Sequence, residues 1–522
     1  MPSPAARLRH FYNSKKQHVV LFSSIAIALY GYDQGMMSLI NTNHSYLRTM
    51  GIGAESPLVG IIVSVYYLGC AAGAVLFSYF ADRRGRKRAI FACLATASLG
   101  NLIMFVAGLG SQRGSGALAT MLLGRVIMGL GVGGVDSVIP IYSSELAADE
   151  ARGKALAQEF QMNIFGLNMA FGINLGVTVA LGKESQWAWR TPIVVMQAYP
   201  LLLLAAIAVL PESPRWHIYH GRLDDARKAL EKIYGEDAKQ VLEEIVESHD
   251  KEADLHVSYL NMLTPGHAQF HPTVITVMGQ VNQALTGYGA VSVYGPQIFE
   301  LLGFDVRTAE YLTMANYISY FILMTGAWLL IDAVGRRKLL VGGSVVLTAC
   351  FFLLTLFSAL AMHSYDLHIP TIAPAVPGIV TLFVATGAFG IGWLATVWLI
   401  PTEIYPTTAR AQAAAISVIV WGLANFAITL LSPIMFNNLY YWIFLIFGAT
   451  NAFAGWWTYI YVPESGGRSF EENQEFFVTA AHAGSWNVRK VDGGIFKTLP
   501  YGEAHEPAER TPLLERVEDQ MP

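Results

Sequence analysis

The sequence predicts an all-α membrane protein, with twelve transmembrane helices arranged as two pseudo-symmetric six-helix bundles. Three observations carry this. Of the 522 residues, 53% are hydrophobic and only 14% are charged, where a soluble domain carries about 25% charge, so the apolar excess has to face lipid. The apolar residues gather into twelve runs, each near the ~20 residues that a helix needs to cross a hydrocarbon core. The chain also repeats itself. Asp82-Arg83-Arg84-Gly85-Arg86-Lys87 returns as Asp332-Ala333-Val334-Gly335-Arg336-Arg337-Lys338, Glu145 and Arg152 return as Glu403 and Arg410, and Pro211-Glu212-Ser213 returns as Pro463-Glu464-Ser465. Three echoes in the same order indicate two copies of one unit. Repeated halves in a membrane chain point to a transporter whose site lies between them.

The runs cover roughly 19–40, 59–80, 89–109, 117–142, 160–181, 191–210, 273–299, 311–331, 339–362, 372–401, 411–436 and 439–462. They divide the chain into an N-terminus (1–18), a first bundle (19–210), a polar linker (211–272), a second bundle (273–462) and a tail (463–522). Basic residues in short loops set orientation. The loop after the second run holds Arg83, Arg84, Arg86, Lys87 and Arg88, and the loop after the eighth holds Arg336, Arg337 and Lys338. Of the alternate loops, that after the first run holds Arg48 alone, that after the seventh Arg307 alone, and that after the ninth no base. The motif loops, both termini and the linker are therefore expected on the cytoplasmic side.

In the linker, Leu223, Ala226, Leu230 and Ile233 recur at helical spacing and predict an amphipathic helix. The tail carries Glu509 and then Leu513-Leu514, the spacing of an acidic-dileucine signal read by sorting adaptors; the plain reading is a chance pair in a disordered tail. The expected location is the plasma membrane, with a vacuolar or endosomal membrane as the alternative. Asn43-His44-Ser45 is a glycosylation sequon in the first outer loop. Cys70, Cys93 and Cys350 fall inside apolar runs and read as small buried residues. A formal charge of −4 speaks against nucleic acid as a partner. No nucleophile–base or metal-ligand spacing stands out, so no enzyme, cofactor or metal is expected.

Charge inside the apolar runs is costly, at least ~2.5–3.5 kcal/mol per group on insertion scales, and marks function. The first run carries Asp33, between Gly31 and Gly35, which read as leaving room beside a cavity. The fourth run carries Arg125, the only base deep in any run, and Asp136. An acid and an arginine on two helices neutralise each other. If the acid's charge depends on the arginine's approach, the pair is a proton switch; the competing reading is a permanent pair that locks two helices. Asp136 is the rival proton carrier. It lies eleven residues beyond Arg125, about 16 Å along a helix, so both acids cannot pair with Arg125 at once.

Glycine and proline interrupt the seventh run (Gly279, Gly287, Gly289, Gly295-Pro296) and the tenth (Gly387, Gly390, Gly392, Pro401). Broken backbone at membrane depth is tolerated beside protein or a water-filled cavity. Asn282, Gln283 and Thr286 bring amides and a hydroxyl, Trp393 and Trp398 bring aromatic faces, and the eleventh run adds Asn425. Amides and rings without fixed charge suit a neutral polyhydroxy solute; polar glue between helices is the alternative.

These residues together resemble the sugar porter family of the major facilitator superfamily, especially its fungal members. The marks run from Gly31-Tyr32-Asp33 through the two basic loops, Gly124-Arg125, Pro140-Ile141-Tyr142, Arg152-Gly153, Trp189-Arg190 and Pro211-Glu212-Ser213-Pro214-Arg215. They continue through Gln283 with Gly287, Tyr294-Gly295-Pro296-Gln297, Trp398 with Glu403, and Pro463-Glu464-Ser465. The resemblance implies the major facilitator fold and alternating access, with solute contacts from the fifth, seventh, tenth and eleventh helices. Here these contacts fall on Gln161, Asn282, Gln283, Tyr294, Trp398 and Asn425. It also implies proton coupling through Asp33 and Arg125. A gate is expected where Asp82, Arg83, Arg86, Glu145 and Arg152 of one half meet Asp332, Arg336, Arg337, Glu403 and Arg410 of the other.

The sequence departs from the family pattern at Gln283-Ala284, at Gly287-Tyr288-Gly289, at Phe160 between Glu159 and Gln161, at Leu394-Ala395, and at Asp136. Several groups that would bond a hexose are absent. The expected protein is a proton-coupled symporter for a small neutral polyhydroxy solute, sugar or polyol. The alternatives are a porter for another small metabolite, such as a cyclic polyol acid, and a nutrient receptor that does not transport.

Overall fold

The computed structural model describes residues 15–491, apart from 55, 111–112, 147–151, 236–237, 253–257, 407–408 and 469. The described residues are helical with no strand. Ten helices, some with short breaks, are long and apolar enough to cross a bilayer. The remaining two runs of the sequence are the first, a single helix α1 (Lys15–Ile40), and the seventh, which is broken into three pieces. The Glu509 and Leu513-Leu514 motif lies outside the described residues.

In the first half, a short α2 (His44–Met50) follows α1. Then come α3 (Pro57–Arg84), α4 (Arg86–Val106), α5 (Ser115–Leu146), α6 (Arg152–Leu181) and the pair α7 (Gln186–Met196) and α8 (Ala198–Val209). Starts are written locally: Ser56 accepts from Leu58 N ahead of Pro57 at the first helical position. The glycines of α1 pack helix on helix. A Cβ on Gly31 or Gly35 would strike the Asn163 or Leu167 carbonyl of α6, so these residues do not leave the cavity room that the sequence suggested; they bring two backbones into contact. Asn43 is buried and its Oδ1 caps α2 through Tyr46 N at 2.9 Å, so the sequon is not presented to solvent. The three cysteines are buried and free.

The linker forms α9 (Pro214–Tyr219), α10 (Leu223–Tyr234), α11 (Ala238–Glu252) and α12 (Tyr259–Leu263). The predicted amphipathic helix is α10, with Ala226 and Leu230 buried. Trp216 Nε1 donates to the Asp82 carbonyl and Tyr234 Oη to the Leu146 carbonyl, which places the linker on the face of the basic loops.

The second half begins with the broken helix α13 (Phe270–Leu285), α14 (Tyr288–Val293) and α15 (Gly295–Leu301). The first break is at Gly287, whose φ of +82° excludes most side chains and whose missing Cβ leaves room for the Phe447 ring. After α16 (Val306–Leu323), α17 (Thr325–Val334) and α18 (Arg336–Met362), the tenth run divides into α19 (Ile372–Phe389), a π-helical turn at Gly390–Leu394 and α20 (Thr396–Ile404). Then follow α21 (Arg410–Leu439) and α22 (Trp442–Tyr461), and beyond them α23 (Phe470–His482) and α24 (Val488–Val491). The halves meet along two seams. Gly60 and Gly422 bring α3 against α21, and Asn168 and Gln161 of α6 bond to α16 and α17.

Candidate functional site

The repeated basic motif folds the same way twice. Gly85 and Gly335 adopt φ of +99° and +97°, which turns the chain straight from one helix into the next. The backbone N–H groups at the start of each following helix then bind one carboxylate. Lys87 N donates to Glu212 Oε1 (3.0 Å), while Arg336 N and Arg337 N donate to Glu464 Oε1 (2.7 Å) and Oε2 (3.2 Å). A carboxylate at a helix N-terminus is favoured by both the free donors and the helix dipole. The arginine of each motif then makes a parallel fork. Arg86 pairs with Asp82 (2.7 Å) and Glu145 (3.3 Å); Arg336 pairs with Asp332 (2.9 Å) and Glu403 (2.6 Å).

Among the described residues, the contacts of Arg86 and Arg336 in the expected gate form two equivalent networks, one inside each half. Arg83 lies over the Tyr79 ring, Arg337 bonds the Tyr459 carbonyl, and Arg410 Nε donates to the Tyr405 carbonyl at 3.4 Å. The Arg152 side chain lies outside the described residues.

On the opposite face an ion pair does cross between halves. Lys183, in the turn after α6, reaches Glu310 of α16 at 2.7 Å, and Arg307 adds a second contact at 3.0 Å; Glu310 is 1% exposed. No periodicity or motif singles out Lys183 or Glu310 in the sequence. Next to them, hydrogen bonds from His44 and Arg48 hold the Glu184 carboxyl below the ordinary carboxylate range.

Asp33 and Arg125 meet in the interior at 2.5 Å, both side chains at most 2% exposed. Arg125 is further held by the Ile62 carbonyl (3.2 Å), the Val63 carbonyl (3.2 Å) and the Tyr66 ring (4.6 Å). The guanidinium is therefore clamped to α3, and Asp33 is the one partner on another helix that carries charge. Asp136 is half-buried and has no hydrogen-bond or ion-pair partner among the described residues. It does not reach Arg125, as the helical rise requires.

The expected solute residues divide. Gln283, buried on α13, spans to the π-helical turn and donates to the Trp393 and Leu394 carbonyls, both at 3.2 Å, leaving Oε1 without a partner. Asn282 is buried with neither amide atom bonded. Asn425 Nδ2 returns to the Trp421 carbonyl (2.9 Å), and its Oδ1 lies 3.0 Å from where a Cβ on Gly289 would stand. Tyr294 Oη donates to the Thr429 carbonyl at 3.4 Å. Trp398 is half-buried between the halves, 5.8 Å from Phe160 and 6.1 Å from Trp421. Trp393 instead turns into its own half, with Nε1 on Ser344 at 3.1 Å. Gln161 is a tie, not a free amide: it donates to the Phe321 carbonyl (3.0 Å) and Thr325 Oγ1 (3.1 Å) across the seam. The sequence did not anticipate that Tyr30 and Tyr67 of the first half pack edge-on against Trp421, at 5.2 and 5.3 Å.

The profile of the sugar (and other) transporter family matches residues 19–477, spanning both halves and the linker between them. The chain belongs to the sugar porter family. It is 29% identical over 468 residues to the MFS-type transporter oryC of Aspergillus oryzae, covering 86% of this chain and 83% of that one. It is also 29% identical over 487 residues to the major myo-inositol transporter IolT of Bacillus subtilis, covering 91% and 96%. Its fold matches the proton:xylose symporter XylE with a TM-score of 0.74 at 24% identity, covering 88% of this chain and 99% of that one. This family member is a multi-pass membrane transporter with the major facilitator fold, not an enzyme.

Proposed function

We propose that this porter is a proton-coupled symporter for a small neutral polyhydroxy solute, a sugar or polyol, working by alternating access. The observation that carries the reading is the buried Asp33–Arg125 contact at 2.5 Å. Arg125 stays fixed to the Ile62 and Val63 carbonyls, so protonation of Asp33 removes its attraction to a charge that does not move, and α1 is freed to shift against α3 and α5 of its own half. Asp33 is the carrier and Asp136 the lesser candidate. The solute lies between Gln283, Asn282, Tyr294 and Asn425 on one side and the Trp398 face on the other; the seam contact of Gln161 gives it a bracing role at the edge of that space. The two basic-loop networks brace each half as it rocks, and the basic loops, linker and termini lie in the cytoplasm. Inward flux then draws on the membrane potential, about 2.3 kcal/mol per charge per 100 mV. IolT, by its name, carries myo-inositol and XylE, by its title, couples xylose to protons; both support a cyclic hydroxylated solute with a proton.

The test is uptake of labelled myo-inositol and D-xylose into vesicles, with and without an imposed pH gradient. The wild type should concentrate a tracer only with the gradient. Asp33→Asn should lose accumulation but keep exchange, and Asp136→Asn should be milder. Accumulation that survives Asp33→Asn and fails in Asp136→Asn assigns the proton to Asp136. A wild type indifferent to the gradient makes the protein a uniporter with a structural Asp33–Arg125 pair.

A further inference from the structure

Inside the protein Asp33 faces Arg125, Glu145 faces Arg86, Glu310 faces Lys183 and Glu403 faces Arg336. Asp136 and Glu159 stand apart. Asp136, on α5, has no hydrogen-bond or ion-pair partner among the described residues. Glu159, on α6 and 6% exposed, accepts from Ser143 Oγ of α5 at 3.3 Å, and no lysine or arginine pairs with it among the described residues. The two acids lie along one line. Arg125, Asp136 and Ser143 follow one another on α5 at intervals of eleven and seven positions, about three and two helical turns, so they share a face. That face starts at the Asp33–Arg125 pair and ends where Ser143 meets Glu159. Just beyond, Glu145 joins Arg86 at the basic loop, so the line runs from the interior to the basic-loop side. Pro140, inside α5, has no N–H to give to the Asp136 carbonyl four residues back. Asp136 thus offers two acceptors, its carboxyl and its carbonyl, enough polar partners to hold a water.

We propose that Asp136 and Glu159 are the two stations through which the proton leaves Asp33 for the basic-loop side of the membrane. The proposal rests on the symport reading above. A carboxyl at membrane depth without a base is costly, and file-like sets of such groups mark proton paths. Asp33 gives its proton to water and closes on Arg125. The Asp136 carboxylate takes the proton up and releases it, again through water, to the Glu159 carboxylate, which passes it to the water of the basic-loop side. Each carboxyl ends as it began, and one positive charge has moved inward. The steps along α5 are about 16 and 10 Å, longer than a hydrogen bond, so water has to carry the proton between stations. Ser143 holds Glu159 at the end of the α5 face. Asp136 departs from the family pattern, so the path belongs to this chain. Asp33 decides whether transport is coupled to the proton; Asp136 and Glu159 set how fast the carrier is emptied of it.

The experiment measures two rates in the same vesicles of the full chain, with labelled myo-inositol and labelled D-xylose as tracers. One is the initial rate of uptake driven by a pH gradient. The other is exchange of labelled for unlabelled solute, which needs no net proton movement and so reports the amount of folded, working carrier. Glu159→Gln and Asp136→Asn should each lower the ratio of driven uptake to exchange by about tenfold or more, while the final accumulation, set by the gradient, is still approached. Glu159→Asp, which keeps the carboxyl, should hold the ratio within a few-fold of wild type. A ratio unchanged in either Glu159→Gln or Asp136→Asn overturns the two-station path. Uptake and exchange that fall together in Glu159→Gln make its role structural and overturn it as well. A wild type that accumulates neither tracer with the gradient defeats the symport reading and this proposal together, whereas a coupled wild type with unaffected variants defeats this proposal alone.

Discussion

Replacing Gly335 by alanine tests the reason for the glycine in each basic loop. The backbone there has φ +97°, ψ 156°, a conformation that costs an L-residue about 1–3 kcal/mol. The new Cβ would stand 2.5 Å from Glu464 Oε2, so the carboxylate must withdraw from Arg336 N or Arg337 N. A hydrogen bond to a charged group is worth about 1.5–3 kcal/mol. The two effects together predict a loss of about 2.5–6 kcal/mol. Gly85→Ala should behave alike, because its Cβ would meet Glu212 in the same way at φ +99°. Gly342 is the internal control. It lies within α18 with nothing within 4 Å of its would-be Cβ, so Gly342→Ala should gain about 0.5–1 kcal/mol. Thermal unfolding in detergent, at one scan rate, ranks the three variants. In the double variant Gly335→Ala/Glu464→Ala the losses should be sub-additive, since the clash is gone. Should Gly335→Ala melt with the wild type or with Gly342→Ala, the carboxylate does not hold this turn.

Two further outcomes concern charge. Asp33→Asn leaves a buried guanidinium without its counter-charge and should cost up to about 3–5 kcal/mol, tempered by the two carbonyls of α3; adding Arg125→Met should recover most of the melting temperature, and an Asp33→Asn melt equal to wild type would mean that Asp33 supplies no counter-charge to Arg125. Lys183→Met removes the tie from the first half to buried Glu310 and should weaken that seam by about 1–3 kcal/mol. A cysteine at Met314, which faces Gly172 across the seam, should then be labelled faster by an aqueous thiol reagent, and an unchanged rate would deny the tie.

The amino-acid sequence alone determined the class of this protein, the repeated turns of its basic loops and the breaks of its seventh and tenth runs. Lipid permits only helices whose backbone bonds are internal, so apolar runs near twenty residues long translate directly into spans. A repeated motif translates as directly into a repeated turn, because Gly85 and Gly335 and their carboxylates Glu212 and Glu464 act over short, fixed geometries. The acid and base of the ion pair were legible because charge at membrane depth requires a partner, and the interior offers Asp33 one deep base.

Tertiary structure decided what sequence spacing cannot carry: which face of each helix turns to which neighbour. Gly31 and Gly35 proved to be contact points with α6, Gln161 a seam tie, and Trp393 an inward-packed ring, although each had read as part of a site. The same holds for the forks of Arg86 and Arg336, each of which pairs with carboxylates of its own half, and for Lys183 and Glu310, which pair between halves on the opposite face. Those partners are brought together by rotation and register of whole helices. The apolar runs fix the membrane-spanning class, and their glycines and prolines mark the breaks of the seventh and tenth; the breaks at Gln197 and Met324 and the turn of each helix are fixed by packing.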